Sequence, residues 1–305
     1  MPFYRQDEYL HEAVESVVRQ TYPCWELIVV DDGSDGRSAQ EILKAIAIVP
    51  NIVLLSHEKN LGVSAAKNTG FAASKGELIV PVDSDDVLEP DYLEKTLRAL
   101  LGGPSDGVYT DLAIFGVENR ISCSDTYPVR ILSGWFPPNP VLMHRRVFEA
   151  VGGYDTDFDL GEDACFWVTA YSLGMKFNHL HEPLYRYRRH ATSGTLTRGH
   201  DYPLVMTKLV RKFPEIYREN ITEIVDLLAA HWVEDIITHR NLLDEFHKLD
   251  HEYNHLHSEF HVLLAKAESA EQKKQPAGIR AALNMLGREI SARFRSRRAQ
   301  VTRQN

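Results

Sequence analysis

The sequence is poor in cysteine and contains no long hydrophobic run. Its 305 residues include three cysteines, Cys24, Cys123 and Cys165, whose positions lack the paired spacing of a metal site. So few thiols exclude a disulfide-rich secreted scaffold and favour a reducing compartment. No apolar stretch approaches the roughly 18–20 residues that span a bilayer, and the first residues lack a secretory-signal pattern. We therefore expect a cytoplasmic protein whose contact with a membrane is at most peripheral.

Positive charge is scarce outside the C-terminal tail. The net charge is −9, but the residues from Lys273 onward carry nine Lys and Arg against one acid, which gives the tail +8 and the rest −17. An acidic body of this kind excludes general binding to the phosphates of nucleic acids. The length leaves room for one large domain with an appendage, or for two domains.

Apolar segments with two different periods alternate along the first hundred residues. Short apolar runs predict buried strands, and stretches of about 10–15 residues at helical spacing separate them. This alternation predicts an α/β fold with a mostly parallel sheet flanked by helices. The predicted strands are 27–30, 52–55 and 78–82, and the predicted helices are 9–20, 38–48, 63–75 and 91–101.

The pattern becomes helical beyond about residue 200. We predict a first domain over 1–198, a helical extension over 199–270 and a basic tail over 271–305. Apolar residues at steps of three and four over 242–264 could pair helices in an oligomer. His251 and His255 are four residues apart, which suits either a metal pair or exposed positions of a helical hairpin. The exposed positions are favoured because no third ligand is evident.

The most informative segment is Asp83-Ser84-Asp85-Asp86, which follows the predicted strand 78–82. Clustered carboxylates repel one another unless water or a cation separates them. Oxygen ligands on a short turn suit Mg2+ or Mn2+, and these ions suit a diphosphate. Two interpretations remain open from this motif alone, a metal site and a solvated turn before a helix. The acids at 31–32 also follow a strand, so both clusters are expected to face one crevice.

Five motifs follow one another between Pro2 and His190, nearly two thirds of the chain. They are Pro2-Phe3-Tyr4, the segment 20–34 with Asp31-Asp32-Gly33-Ser34, the segment 60–70 with Lys67, Asp83-Ser84-Asp85-Asp86, and Gly152-Gly153-Tyr154-Asp155 with Gly161-Glu162-Asp163. In this order they resemble glycosyltransferase family 2, the inverting enzymes with the GT-A fold. The resemblance implies a GT-A domain, a nucleotide-diphospho-sugar donor, and Mn2+ or Mg2+ as cofactor.

The resemblance also implies which residues contact the donor. Asp32 would accept the imide N–H of a uracil, and the alternative is a turn acid in an Asx hydrogen bond. Lys67 stands where the family often has Arg, so it would give a point charge to a phosphate; an exposed helix lysine is the alternative. The implied donor-binding residues are Pro2, Tyr4, Asp31, Asp32, Lys67, Asp83 and Ser84.

Asp163 resembles the general base that removes a proton from the acceptor hydroxyl. Glu162 beside it would hold the acceptor or orient the site, although acids also stabilise the start of a helix. Asp85 and Asp83 would ligate the metal, and His190 would complete its shell, with a structural histidine as the alternative. Two further pairs of residues have open interpretations. Arg188 and Arg189 could contact the diphosphate or have no such role. Trp135 and Trp167 could line an acceptor pocket or pack in the core.

Two features depart from the family pattern. Met1 stands directly before Pro2, where the family has an apolar strand, so we expect the natural chain to begin further upstream. The loss of such a strand would leave backbone groups unpaired and apolar area uncovered. Arg5 replaces the frequent Asn after the tyrosine, which weakens the assignment of the base site.

The tail combines apolar residues at helical steps with several arginines. A basic amphipathic helix over 277–305 could lie on an anionic membrane, which would suit a lipid-linked acceptor. A docked C-terminal helix is the alternative.

The leading hypothesis is an inverting glycosyltransferase that moves a sugar from a UDP-sugar to a glycan or lipid-linked acceptor in surface polysaccharide or glycoconjugate synthesis. A non-catalytic GT-A relative that binds nucleotide-sugars or acts as a scaffold is the alternative. A nucleotidyltransferase is disfavoured, because a Gly-rich basic phosphate loop is not evident near the start.

Overall fold

The chain divides into two compact units, Met1–Val225 and Asp226–Asn305. The computed structural model describes residues 1–230, except 124–127, 135–136, 138, 159, 194–196 and 199–200, together with positions 251, 254–255, 258, 261–262 and 265. The positions from 251 onward are helical and exposed, and they include His251 and His255. Trp135, the basic tail 271–305 and most of the predicted helical segment 242–264 lie outside the described residues. The predicted domain division at 198 stays a prediction.

Helices and strands alternate through the first unit. The strands are β1 (Pro2–Phe3), β2 (Leu27–Asp31), β3 (Ile52–Ser56), β4 (Leu78–Ile79), β5 (Val87–Leu88), β6 (Gly107–Gly116), β7 (Arg120–Ser122), β8 (Leu142–His144) and β9 (Phe177–Arg189). The helices are α1 (Asp7–Val18), α2 (Arg37–Ile46), α3 (Val63–Ala73), α4 (Tyr92–Leu101), α5 (Pro128–Leu132), α6 (Arg145–Val151), α7 (Glu162–Ser172), α8 (Tyr202–Lys212) and α9 (Pro214–Glu219). Among the described residues, none of the helices is both long and apolar enough to cross a bilayer.

Two sheets form the framework. The first has the order β1-β2-β3 and is parallel, and all five residues of β2 are buried, as expected for a strand covered on both faces. The second has the order β4-β8-β6-β9-β5, with β7 beside β6. Only its β6–β9 pair is parallel among the strand pairs of the described residues. The predicted α/β class is confirmed, but the parallel arrangement is limited to part of the structure.

A cavity lies beside β2, and residues of both sheets line it. Of the predicted strand 78–82, only Leu78 and Ile79 pair with a neighbour, so the prediction is wrong for its last three residues. An extended segment such as 80–82 joins a sheet only where another strand runs about 4.8 Å away. Strand β1, at the edge of the first sheet, is only two residues long and offers little length for such pairing. The cavity has a volume of about 610 Å3, and its lining includes Met1, Ile28, Val80, Leu97 and Leu142.

The parallel register of β6 and β9 is broken at Asp111. Thr110 pairs with Leu180, whereas Leu112 pairs with Tyr185. Asp111 on β6 therefore faces residues 181–184 of β9 outside the regular ladder.

The main core lies between the second sheet and the helices that follow it. Trp167 of α7 is buried there with Val205 and Leu209 of α8 and Tyr217 of α9. Trp167 therefore packs in the core, and the acceptor-pocket alternative is wrong for this residue. Helix α7 begins beside α8, since Gly161 lies against Val205.

We predict that Gly161→Ala lowers the free energy of unfolding by about 2–4 kcal/mol. Gly161 has a φ of +77°, and an added Cβ would lie 2.4 Å from Val205 Cγ1. The matched control is Gly152→Ala, where φ is +84° but no atom lies within 4 Å, so only the strain of about 1–2 kcal/mol applies. Urea denaturation measures both. Equal losses of stability in Gly161→Ala and Gly152→Ala would contradict the clash. A double variant of Gly161→Ala with Val205→Ala that is no more stable than Gly161→Ala alone would also contradict it.

Candidate active site

The acids at the end of β2 hold the neighbouring loops. Asp31 Oδ1 accepts the N–H of Ser34 at 2.9 Å. Asp32 accepts the N–H groups of Leu61 at 2.9 Å and Gly62 at 2.8 Å, and its Oδ1 lies 2.6 Å from His57 Nδ1. Both aspartates are buried. No sequence motif singled out His57, whose other ring nitrogen lies 2.9 Å from Thr69 Oγ1.

The first residues form one wall of this region. Pro2 pairs with Val30, and Tyr4 is exposed, with the Arg5 guanidinium 5.2 Å from its ring centre. Arg5 has a φ of +53°, a left-handed conformation in which Asn is better tolerated than Arg. Arg5 also forms a two-pronged ion pair with Asp35.

A glutamine that the sequence did not point to connects the start of α1 with the acidic turn. Gln6 Oε1 accepts the hydroxyl of Ser84 at 2.8 Å, and Gln6 Nε2 donates to Asp85 Oδ2 at 3.1 Å. The side chain of Gln6 thus fixes two residues of the turn at once.

Asp85 and His190 meet, although 105 residues separate them in the chain. His190 Nε2 lies 3.1 Å from Asp85 Oδ2, and His190 Nδ1 lies 2.8 Å from Thr192 Oγ1. Burial raises the pKa of Asp85, and the nearby charge of Asp83 adds to the rise. The structure therefore brings together two of the three predicted metal ligands, and their role stays a prediction.

Asp86 anchors the turn to β9. It is fully buried and accepts hydrogen bonds from the hydroxyl of Tyr185 and from the N–H of Arg188, the latter at 2.7 Å. Burial raises the pKa of Asp86 well above its usual value, and Asp85 and Asp83 add to this. Sequence alone could not separate Asp86 from its neighbours, because its partners on β9 come 99 and 102 residues later in the chain.

Lys67 lies at the centre of an acidic cluster. Its Nζ is 3.0 Å from Glu162 Oε1, 3.1 Å from Asp163 Oδ1 and 3.7 Å from Asp83 Oδ1. Its side chain is 3% exposed, so the exposed-lysine alternative is wrong. Burial alone would lower the pKa of Lys67, but the charges of Asp163, Asp83 and Glu162 raise it well above its usual value. Lys67 is therefore a permanent cation that draws three separate segments together.

Asp163 is poised to exchange a proton near neutral pH. Burial raises its pKa to about 7; the charge of Lys67 opposes this rise, while Glu162 and Asp83 add to it. A base is most effective when its pKa lies near the working pH. Gly161 is the N-cap residue of α7, so Glu162 and Asp163 occupy its first turn, where the helix dipole favours acids.

The predicted residues thus fall into three groups. Asp83, Glu162 and Asp163 converge on Lys67, and Asp85 meets His190. Asp31 and Asp32 are held by their own loops. The two arginines at the end of β9 are engaged with acids, Arg188 with Glu12 and Arg189 with Glu118.

Comparison with known proteins decides the family. The profile of Glycosyl transferase family 2 matches residues 1–139. Glycosyltransferase GlyG of Streptococcus pneumoniae is 30% identical over 253 residues, which cover 74% of this chain and 79% of GlyG. The chain belongs to glycosyltransferase family 2. Glycosyltransferase GlyA of the same organism is 29% identical over 228 residues, which cover 65% of this chain but only 31% of GlyA.

Solved structures share the fold of this family member. TarS of Staphylococcus aureus, in complex with UDP-GlcNAc, aligns with a TM-score of 0.56 at 19% identity, over 64% of this chain and 59% of TarS. The mannosyltransferase PcManGT of Pyrobaculum calidifontis, in complex with GDP-Man and Mn2+, aligns with a TM-score of 0.51 at 19% identity, over 71% of this chain and 62% of its own. The GT-A fold is thereby confirmed.

We predict that Asp86→Ala lowers the free energy of unfolding by about 2–4 kcal/mol, because two buried donors lose their acceptor. Tyr185→Phe removes one of these hydrogen bonds and keeps the one from the N–H of Arg188, so its loss should be smaller, about 1–2 kcal/mol. Urea denaturation of the full chain measures both. Glu149→Ala, at an exposed helical position, is the control; a loss for Asp86→Ala no larger than for this control would show that Asp86 does not anchor the turn.

Proposed function

We propose that this chain is an inverting glycosyltransferase that moves a sugar from a UDP-sugar to a hydroxyl of a glycan or lipid-linked acceptor. The position of Asp163 carries the proposal. Asp163 is a buried carboxyl with a pKa of about 7, and it shares the cation of Lys67 with Asp83 of the acidic turn. The proposed base for the acceptor and an acid of the proposed donor turn thus lie 3.1 and 3.7 Å from one ammonium group.

One general base suits a reaction in which the acceptor displaces the diphosphate from the anomeric carbon in a single step. The acceptor oxygen attacks the anomeric carbon, the bond from that carbon to the diphosphate oxygen breaks, and Asp163 takes the acceptor proton. Glu162 lies in the same turn of helix and shares the Lys67 cation, so we assign it to holding the acceptor or orienting the site. Lys67 keeps both carboxyl groups in place.

We assign a divalent cation to Asp83, Asp85 and His190. Two carboxylates and an imidazole form a suitable donor set, and the imidazole favours Mn2+ over Mg2+. The pKa of Asp85 is raised by burial and by Asp83, and a cation would relieve this repulsion. When bound, the ion would act as a Lewis acid that neutralises charge on the departing diphosphate.

The nucleotide is assigned to the end of the first sheet, with Pro2, Tyr4, Asp31, Asp32 and Ser84 as its contacts. A carboxylate offers about four acceptor positions, and three at Asp32 are occupied by His57, Leu61 and Gly62. One position remains for the imide N–H of a uracil. The complexes of TarS with UDP-GlcNAc and of PcManGT with GDP-Man support a nucleotide-diphospho-sugar, and a screen of UDP-, GDP- and dTDP-sugars with Mn2+ decides among the bases.

The wider role follows from the family assignment. We propose that the product enters a surface polysaccharide or another glycoconjugate, that the protein is cytoplasmic, and that residues 277–305 contact the membrane peripherally. Pairing through 242–264 is a further proposal, tested by the mass of the protein in solution. Liposome co-sedimentation with and without the tail tests the membrane contact, and equal pelleting would reject it.

We predict that Asp163→Asn lowers kcat by at least about 100-fold, because the amide cannot accept the acceptor proton. UDP binding, measured by calorimetry, should not change. Asp157→Asn, at an exposed position shortly before α7, is the control and should retain activity. Unchanged turnover in Asp163→Asn would reject the base assignment, and donor binding without turnover in the unaltered chain would favour the non-catalytic alternative.

The pH profile of kcat/KM gives a second prediction. Asp163 acts when ionised, so activity should fall as pH decreases through about 7. Lys67→Met removes the cation that opposes the raised pKa of Asp163, so this acidic limb should move to higher pH. Lys75→Met, at an exposed position after α3, should leave the limb in place. A limb that does not move in Lys67→Met would mean that another group titrates.

A further inference from the structure

Side chains with atoms that could ligate a metal meet between β6 and β9. Asp111 of β6 and His179 and His181 of β9 each offer a ligand atom, and these atoms lie within 4.8 Å of one another. His179 Nε2 is 2.7 Å from Asp111 Oδ1, and the rings of His179 and His181 are 4.0 Å apart. Asp111 is buried, and His181 is exposed. A metal ion could therefore reach the group from solvent and bind against a buried carboxylate.

This group stands where the register of β6 and β9 is broken. His179 is still in the ladder opposite Tyr109, whereas Asp111 and His181 fall in the irregular part between the Thr110–Leu180 and Leu112–Tyr185 pairs. Side chains two residues apart on a strand point to the same face. The two histidines therefore share a face, and the irregularity brings the carboxylate of Asp111 to them.

A cysteine follows the end of β7, the strand that pairs with β6. Ser122 pairs with Leu112, so the next residue, Cys123, follows at the position beside Asp111. Cys123 is exposed. Imidazole, thiolate and carboxylate together form a donor set that suits Zn2+, which prefers four ligands.

The group is distinct from the proposed catalytic cation site. His190 follows the end of β9, nine residues after His181, and its partner Asp85 belongs to the turn 83–86. None of Asp111, His179 and His181 is among the residues that we assign to the donor or the base.

We propose that Asp111, His179 and His181 bind Zn2+, with Cys123 as the fourth ligand. The ion would replace the hydrogen bond between Asp111 and His179, and it would tie β6, β7 and β9 together at the point where their ladder is interrupted. The role is structural, since it supplies a cross-link where backbone hydrogen bonds are missing.

The competing explanation is a hydrogen-bonded pair without metal. Asp111 and His179 satisfy each other, and Tyr109 stacks on His179 with ring centres 4.6 Å apart. This explanation gives His181 and Cys123 no part in binding an ion. The two residues therefore discriminate between the explanations.

The test compares metal binding by the full chain and its variants after treatment with EDTA. The unaltered chain should bind one more Zn2+ than His179→Ala/His181→Ala, as measured by calorimetry and by metal analysis, and His181→Ala alone should weaken this binding at least about tenfold. Histidines elsewhere contribute equally to every variant, so the difference reports on this group. His11→Ala, at an exposed position of α1, is the matched control. Equal stoichiometry and affinity in all variants would overturn the proposal.

Two further measurements separate binding from folding. Co2+ bound in place of Zn2+ should show a thiolate absorption band that disappears in Cys123→Ser, and a band that persists would reject Cys123 as a ligand. Zn2+ should raise the Tm of the unaltered chain but not of His181→Ala. Because His181 is exposed, this variant should unfold like the unaltered chain without metal, and a Zn2+-dependent rise of equal size in both would also overturn the proposal.

Discussion

The candidate active site depends on one buried cation. Lys67 comes from α3, Asp83 from the turn before β5, and Glu162 and Asp163 from the start of α7. Without the ammonium group these carboxyl groups would repel one another, and without them a buried lysine would lose its charge. Each part is therefore stable only in the presence of the others. The cluster also joins the first sheet to the helical layer on which α7 packs.

A second connection fixes the acidic turn against β9. Asp86 receives hydrogen bonds from Tyr185 and Arg188, and this directs the strand so that His190, at its end, meets Asp85. The residues of the turn thus have different surroundings. Asp83 faces the ammonium group of Lys67, Asp85 faces His190, and Asp86 is part of the framework.

The sequence predicted the segments of the site better than their contacts. The strands at 27–31 and 52–56 and the first four helices follow from apolar periodicity, which is a local signal. The predicted strand at 80–82 is wrong because pairing depends on a neighbour that local pattern does not reveal. The roles of Gln6, His57 and Asp86 were missed for the same reason, since their partners lie 25 to 102 residues away in the chain. Lys67 was singled out, but the three acids around it could be found only from the fold.

Charge around the turn bears on how a diphosphate would be held. Lys67 already faces three carboxyl groups, so its charge is more than neutralised and gives little attraction to a phosphate. Arg188 and Arg189, the other cations that the motif suggested, form ion pairs with Glu12 and Glu118. An anionic donor approaching Asp83 and Asp85 would therefore meet a surface of like charge. Under the proposed function, a divalent cation held by Asp83, Asp85 and His190 is the group that reverses the sign of this surface, and this makes donor binding as well as catalysis dependent on the metal.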